Sequence, residues 1–173
     1  MKNEHYYKNL RNKFLPDHLK TIFVLESPPE SGKYFYDETG KTNEPLFTAM
    51  MRDVLFIEIP QTKREGLEEF AKRGYFLVDA TYTPVDGIID RLEKDRVILK
   101  NYYNLVNDLC EVIGGGNTKI ILVKANICRL LGALLVEDGF NVVNINEINN
   151  GEVIPFPSNG GQRKFAEQIR KFL

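Results

Sequence analysis

Short apolar runs alternate with amphipathic segments along the chain. Residues 21–25 (TIFVL), 75–80 (YFLVDA) and 119–123 (KIILV) are rich in β-branched and other apolar side chains. Runs of this kind are typical of strands that are buried on both faces of a parallel sheet. Residues 142–145 (VVNI) predict a fourth, shorter strand.

Between these runs, apolar side chains recur at helical spacing. Thr62 and Glu65 have the spacing of a capping box, and Gly74 is placed to end the helix that they begin. Residues 97–113 predict one long helix, and Asn159 is placed to cap the last helix of the chain.

The alternation of strands and helices predicts an α/β fold, a three-layer α/β/α sandwich around a four-stranded parallel sheet. No repeat or linker divides the sequence, so residues 1–173 are expected to form one domain. Ligands of such sheets bind beyond the carboxyl ends of the strands. The sequence therefore predicts a site built from residues 26–37, 79–84 and 155–162.

The composition excludes several kinds of site. The chain has two cysteines, Cys110 and Cys128, and two histidines, His5 and His18. These numbers argue against a disulfide framework, a cysteine zinc site and a Ser-His-Asp triad, and no metal or cofactor is predicted. No apolar run approaches the roughly 18–20 residues that span a bilayer, and the first ten residues are polar. A cytoplasmic protein without membrane contact is therefore expected.

The net charge of −1 gives no global argument for a nucleic-acid partner. A local basic rim is still possible, because the chain has 23 lysines and arginines. The candidates for such a rim flank the predicted loops: Lys33, Lys41, Lys124, Arg163 and Lys164.

The loop after the first strand resembles a phosphate-binding loop only superficially. Ser27 and Tyr34 occupy the positions where that motif needs a glycine and a magnesium-binding hydroxyl, so an ATPase is not favoured. Pro28 instead belongs to a proline pair that stiffens the loop. Beyond it, Phe35 or Tyr36 can form the wall of a pocket for a planar ring, or both can pack beneath the loop.

Two carboxylates are expected at strand ends in the same crevice. Glu26 follows the first strand and Asp79 ends the second. A carboxylate there could position water or accept a hydrogen bond from a base edge. The alternative is that each is a solvated or salt-bridged acid.

The last loop precedes a helix, whose free amides favour an anion. Its two glycines, Gly160 and Gly161, allow close approach of a backbone, whereas simple capping by Asn159 is the alternative. The candidate contacts in this loop are Phe156, Pro157, Ser158, Asn159 and Gly160.

These loops together resemble the uracil-DNA glycosylase-like superfamily. Glu26-Ser27-Pro28-Pro29 is similar to the Glu-Ala-Pro-Gly motif of some branches, and Phe156-Pro157-Ser158-Asn159 is similar to their His-Pro-Ser-Pro-type loop. Residues 120–132 also resemble the third strand of that family and the helix that follows it.

The resemblance implies a base-flipping mechanism on DNA or on a nucleotide-like ligand. The base would stack on Phe35 or Tyr36, and a side chain near Asp79 or Thr81 would bind its Watson–Crick edge. Glu26 would orient water, and the last loop would press against DNA and stabilise the leaving base.

Three positions depart from the family pattern. Phe156 stands where active branches often have histidine, Asp79 where uracil-binding members have asparagine, and Lys124 where a glycine is usual. Two main hypotheses follow: a glycosylase-like enzyme that acts on a base in DNA, and a non-catalytic nucleic-acid or nucleotide-binding module on the same fold. A small-molecule enzyme that uses the same crevice is a third, and the oligomeric state is left open.

Overall fold

Three parallel strands form the centre of the computed structural model, which describes residues 2–173. The strands are β1 (Thr21–Leu25), β2 (Tyr75–Asp79) and β3 (Lys119–Leu122). The helices are α1 (Glu4–Asn12), α2 (Pro45–Ala49), a π-helical turn (Met50–Val54), α3 (Lys63–Lys72), α4 (Arg91–Lys100), α5 (Tyr102–Ile113), α6 (Ala125–Glu137), α7 (Ile145–Asn149) and α8 (Gln162–Ile169). The predicted α/β class with a parallel sheet is confirmed.

The strand order is β2-β1-β3, with Thr21 opposite both Tyr75 and Lys119. All five residues of β1 are buried, as expected for a central strand. The connections from β1 to β2 and from β2 to β3 run in opposite directions along the sheet. Because parallel crossovers are right-handed, these connections cover opposite faces and leave a crevice at the carboxyl ends of the strands.

The prediction of a four-stranded sheet is wrong. Beside β3 the chain forms two isolated parallel bridges, Ile120 with Val142 and Val123 with Ile154. Between them the Asn144 side chain donates to the carbonyl of Leu122 (2.9 Å) and accepts from its amide (3.1 Å). The side-chain amide of Asn144 thus makes the two hydrogen bonds that the backbone of a fourth strand would make with Leu122. The backbone is therefore free to turn into α7, which begins where residues 142–145 were predicted to be extended.

Asn144→Ala is expected to lower the free energy of unfolding by about 1–3 kcal/mol, because it leaves the buried amide of Leu122 without a partner and its carbonyl with only the weak thiol donor of Cys128 (3.6 Å). Urea denaturation measures the loss. Asn149→Ala, an exposed asparagine of α7, is the matched control and should change stability by less than about 0.5 kcal/mol. Equal effects of the two variants would contradict this role of Asn144.

The local helix signals are mostly confirmed. The Thr62–Glu65 capping box is present in both directions, and Gly74 follows α3 with φ +83°. The single long helix predicted over residues 97–113 is wrong: α4 and α5 meet at Asn101, whose side-chain amide donates to the carbonyl of Val97 (2.8 Å).

Helix α1 has no counterpart in the sequence prediction. Asn3 caps it by accepting from the amide of Tyr6, and the helix brings Tyr7 and Arg11 into the core. One cluster of buried apolar residues extends from Tyr7 to Ile169 in α8. Within residues 2–173, no helix combines the length and the apolar character that crossing a bilayer requires.

Candidate functional site

A cavity of about 430 Å³ lies at the carboxyl ends of β1 and β2. Glu26, Asp79 and Ser158 all line it, so the predicted convergence of three separate loops is confirmed. The other predicted residues in its lining are Pro28, Phe35, Phe156 and Asn159. Those that the structure places outside the lining are Tyr36, Thr81, Pro157 and Gly160.

Hydrogen bonds tie together the loops that follow β1 and β2. The Ser27 hydroxyl accepts from the amide of Val85 (3.2 Å), and both carboxylate oxygens of Asp86 accept from the amide of Glu30 (3.1 and 3.2 Å). Gly87 lies against the Glu30 side chain, since a Cβ there would lie 2.5 Å from its carboxylate. These hydrogen bonds therefore hold the two loops together beside the cavity.

Glu26 is held by two side chains that come from the end of β3. Its Oε2 accepts from Lys124 in an ion pair, and its Oε1 accepts from the amide of Asn126. Lys124 reaches it from a left-handed backbone conformation (φ +83°), a region that favours glycine and costs other residues of order 1 kcal/mol or more. The salt-bridged alternative for Glu26 is thus observed. The carboxylate nevertheless stays in the cavity lining.

Asp79 is the unpaired acid of the cavity. Its side chain is buried, and its Oδ2 has no hydrogen-bond partner. Burial raises its pKa to about 7, and the neighbouring charges of Asp108 and Glu26 act in the same direction. Arg11 and the Tyr34 hydroxyl lower that pKa. The Tyr34 hydroxyl lies close to Asp79 but outside hydrogen-bond geometry, so it too is a buried polar atom without a partner.

The inner wall of the cavity therefore holds a hydroxyl and a carboxyl oxygen that have no partner in hydrogen-bond geometry and that can bond to each other, to water or to a ligand. Near neutral pH a large share of Asp79 is the neutral acid, which donates one hydrogen bond and accepts others. An ionised carboxylate only accepts. In the sequence Tyr34 is the first of three adjacent aromatic residues, and nothing in the pattern indicates that its hydroxyl lies close to Asp79.

The raised pKa of Asp79 also predicts how stability changes with pH. Because the folded protein holds this proton more tightly than the unfolded chain, Asp79 contributes stability below its ordinary value of 3.8 and loses it as pH rises through about 7. The loss should be on the order of a few kcal/mol. Asp79→Asn should remove this part of the pH dependence, measured by urea denaturation at about pH 5 and about pH 8. Asp17→Asn, an exposed control, should keep the dependence; the same profile in both variants would contradict the assignment.

The two predicted stacking residues differ in position. Phe35 lines the cavity although its ring is only 4% exposed, and it packs against Phe47 and Phe70 with centroids 6.2 and 5.4 Å away. Tyr36 is fully buried outside the lining, where its hydroxyl accepts from the amide of Leu77 (2.7 Å). Of the two rings, only Phe35 can present a surface to the cavity.

Thr81 faces away from the cavity. Its side chain is buried, and its hydroxyl accepts from the amide of Thr83 (3.1 Å). It lines a small polar pocket with Asp108 on the other side of Asp79. A direct contact with a base in the large cavity is therefore not available to Thr81.

The last loop contributes its apolar and hydroxyl side chains. Phe156 and Ser158 line the cavity, whereas Pro157 is buried and Gly160 is exposed. The predicted cap by Asn159 is wrong: this residue has φ +49°, and α8 begins after Gly161 without a side-chain cap. The loop turns sharply here, and this removes Asn159 from the position of a cap.

The basic rim is smaller than the sequence predicts. Lys33 and Lys124 line the cavity, but Lys124 is paired with Glu26. Arg163 forms an ion pair with Glu167 (2.8 Å). Lys41 and Lys164 lie outside the lining.

A second ion pair, which the sequence pattern did not reveal, fixes the floor of the cavity. Lys63 is fully buried, and its Nζ donates to Glu44 (2.8 Å) and to the carbonyl of Tyr34 (2.8 Å). It thereby holds the backbone of the residue whose hydroxyl faces Asp79. As the first residue of an amphipathic helix, Lys63 carries no signal of burial in the sequence.

No family model, no curated protein and no solved structure matches the chain. Within the described residues, no group of three or more His, Cys, Asp and Glu side chains is arranged to hold a metal ion. The chemistry of the cavity is therefore argued from its own side chains.

Proposed function

We propose that this chain is a divergent uracil-DNA glycosylase-like protein, with the three-layer fold of that superfamily, that removes a damaged or deaminated base from DNA. The base would be flipped into the cavity, and its N-glycosidic bond would be hydrolysed. The observation that carries the proposal is the meeting of Glu26, Asp79, Phe35 and Ser158 on one cavity at the strand ends.

The size and lining of the cavity suit a heterocyclic base. Its 430 Å³ falls within the range of about 300–1,000 Å³ that is usual for small-molecule sites. Phe35 offers an aromatic surface, and the unpaired groups of Asp79 and Tyr34 offer hydrogen bonds to a ring edge. In its neutral form Asp79 matches an edge with one carbonyl and one N–H, as in uracil.

Glu26 is the residue proposed to orient the attacking water. Each of its carboxylate oxygens accepts one hydrogen bond from Lys124 or Asn126, and each has a further lone pair for water. The two donors hold the carboxylate in one orientation, and a positioned general base depends on such an orientation. Ser158 faces the same space from the last loop.

The test is incubation with DNA duplexes that carry uracil, hypoxanthine, xanthine or a mismatch, followed by strand cleavage at abasic sites. Cleavage by the unaltered chain that is lost in Asp79→Ala is the expected result. An unmodified duplex of the same sequence is the control. Absence of both cleavage and binding for every duplex would overturn the proposal.

A second candidate is a non-catalytic nucleic-acid or nucleotide-binding module. The Glu26–Lys124 ion pair favours it, since one oxygen of the carboxylate that hydrolysis needs already accepts from a cation. Binding without cleavage is its expected result in the same assay.

Either function predicts salt-sensitive binding through Lys33, the exposed lysine in the cavity lining. Lys33→Ala should weaken DNA binding at all sequences and reduce the slope of log affinity against log salt by about 1. Fluorescence anisotropy titrations at several salt concentrations measure both quantities. Lys41→Ala, an exposed lysine outside the lining, is the matched control. Identical slopes for the two variants would remove Lys33 from the DNA contact.

A further inference from the structure

A buried ion pair lies behind Asp79, outside the cavity lining. Arg11 of α1 is 1% exposed and donates to both carboxylate oxygens of Asp108 in α5 (2.6 and 2.9 Å). It also donates to the hydroxyl of Tyr82. Lys8 reaches the same carboxylate from the surface, with Nζ 3.4 Å from Oδ1. The bidentate pair orients the Arg11 guanidinium firmly toward Asp108.

Arg11 is also the cation that faces Asp79. It donates to Tyr82 and Asp108, and these two residues line one small pocket together with Asp79. Its charge favours the ionised form of Asp79. All hydrogen bonds that Arg11 donates within the described chain go to other residues, so Asp79 has a nearby cation without direct pairing.

The charged and titratable groups around Asp79 come from every element packed against it. They are Tyr7 and Arg11 of α1, Glu26, Tyr34 and Tyr36 after β1, Tyr82 after β2, and Asp108 of α5. Arg11 is the buried cation of this set, Asp108 is the acid that binds it, and Lys8 of α1 reaches Asp108 from the surface. The charge of Asp79 therefore depends on how completely Asp108 neutralises Arg11.

We propose that Asp108 is a positioning residue that sets the ligand specificity of the cavity: by holding Arg11, it keeps Asp79 able to donate a hydrogen bond to a ring carbonyl. Without Asp108, Arg11 would be free to pair with Asp79, which would then offer only acceptor oxygens to a ligand. The ligand part of this inference rests on the proposed function, whereas the effect on Asp79 does not.

Three variants separate this role from a merely structural one. Asp108→Asn should lower the pKa of Asp79, because Arg11 is released and a repelling charge is lost. Arg11→Gln should raise the pKa of Asp79, because the cation that lowers it is removed. In the double variant R11Q/D108N one cation and one anion are lost together, so the pKa of Asp79 should lie between those of the two single variants.

The readout is the ¹³C chemical shift of the Asp79 carboxyl carbon during a pH titration of the whole chain, assigned with Asp79→Asn. If one single variant fails to fold, the opposite shift in the other still tests the proposal. An Asp79 that titrates at the same pH in every folded variant would overturn it, whatever the cavity binds.

A second measurement tests the link to specificity, with a duplex carrying uracil opposite guanine as the probe at about pH 7. Asp108→Asn should weaken binding about tenfold or more, the effect of losing one ligand hydrogen bond, whereas the double variant should bind like the unaltered chain. If the unaltered chain does not bind, the proposed function fails while the titration stands. Shifted titrations with unchanged uracil binding would overturn the role of Asp108 in specificity.

Discussion

Tyr36→Ala is expected to lower the free energy of unfolding by about 3–5 kcal/mol, because it opens a cavity in a fully buried part of the core. The ring packs against Phe14, Phe35 and Phe76, with centroids 6.1, 4.9 and 5.6 Å away. Its hydroxyl also accepts from the amide of Leu77 on β2, an edge strand of the sheet. For a chain of this length, the melting temperature should fall by roughly 6–20 °C.

Two controls divide this effect into its parts. Tyr36→Phe keeps the ring but leaves the amide of Leu77 without a partner, which should cost about 1–3 kcal/mol. Tyr103→Ala removes a tyrosine that is 73% exposed and should change stability by less than about 0.5 kcal/mol. A Tyr36→Ala variant that melts normally but binds no DNA would contradict the structure and restore Tyr36 as a stacking residue.

The strands that the sequence predicts correctly are those whose burial is visible in the sequence itself, as a short run of apolar residues. Thr21–Leu25 is apolar throughout because both faces of the central strand are covered. Residues 142–145 carry a similar pattern, but Val142 pairs with β3 through one isolated bridge and Asn144 bonds to β3 through its side-chain amide. The hydrophobic pattern does not distinguish these cases, since both are short runs with branched apolar residues that lie beside a strand.

Helix α1 forms in the structure although the sequence pattern did not predict it. It buries Tyr7 and Arg11, which are one helical turn apart, and a charged residue in the core appears in the sequence as an exposed one. The partner that makes its burial possible, Asp108, lies 97 residues away. Only the fold brings such a pair together, so neither Arg11 nor its effect on Asp79 could be predicted.

The candidate site was predictable as far as sheet geometry determines it. Glu26 and Asp79 end neighbouring parallel strands and therefore meet at one edge. Which of the adjacent aromatic residues enters the cavity depends instead on a tight turn. The amide of Tyr34 bonds to the carbonyl of Gly32 (2.9 Å), and Gly32 has φ +77°. This turn directs Tyr36 into the core, an outcome that residue type alone does not indicate.

Glu26→Gln is expected to reduce the rate of base release from the preferred duplex by about 10²–10⁴-fold, the usual contribution of a positioned general base. Glutamine keeps the shape of the side chain but cannot take a proton from water, so DNA binding should persist. Single-turnover cleavage assays with excess protein measure the rate, and anisotropy measures binding.

Glu30→Gln is the matched control, because Glu30 is the next acid of the same loop, is exposed and lies outside the cavity lining. Its rate should equal that of the unaltered chain. Because Glu26 is paired with Lys124, the rate of base release by Glu26→Gln distinguishes the two proposed functions. If Glu26 is a base, Lys124 holds it in place for water, and the charge-neutral variant loses the chemical step. If Glu26 only anchors Lys124, base release will be equally fast in both variants or absent in all of them. In either case Glu26 takes no part in hydrolysis, and absent release indicates that the cavity is a binding site.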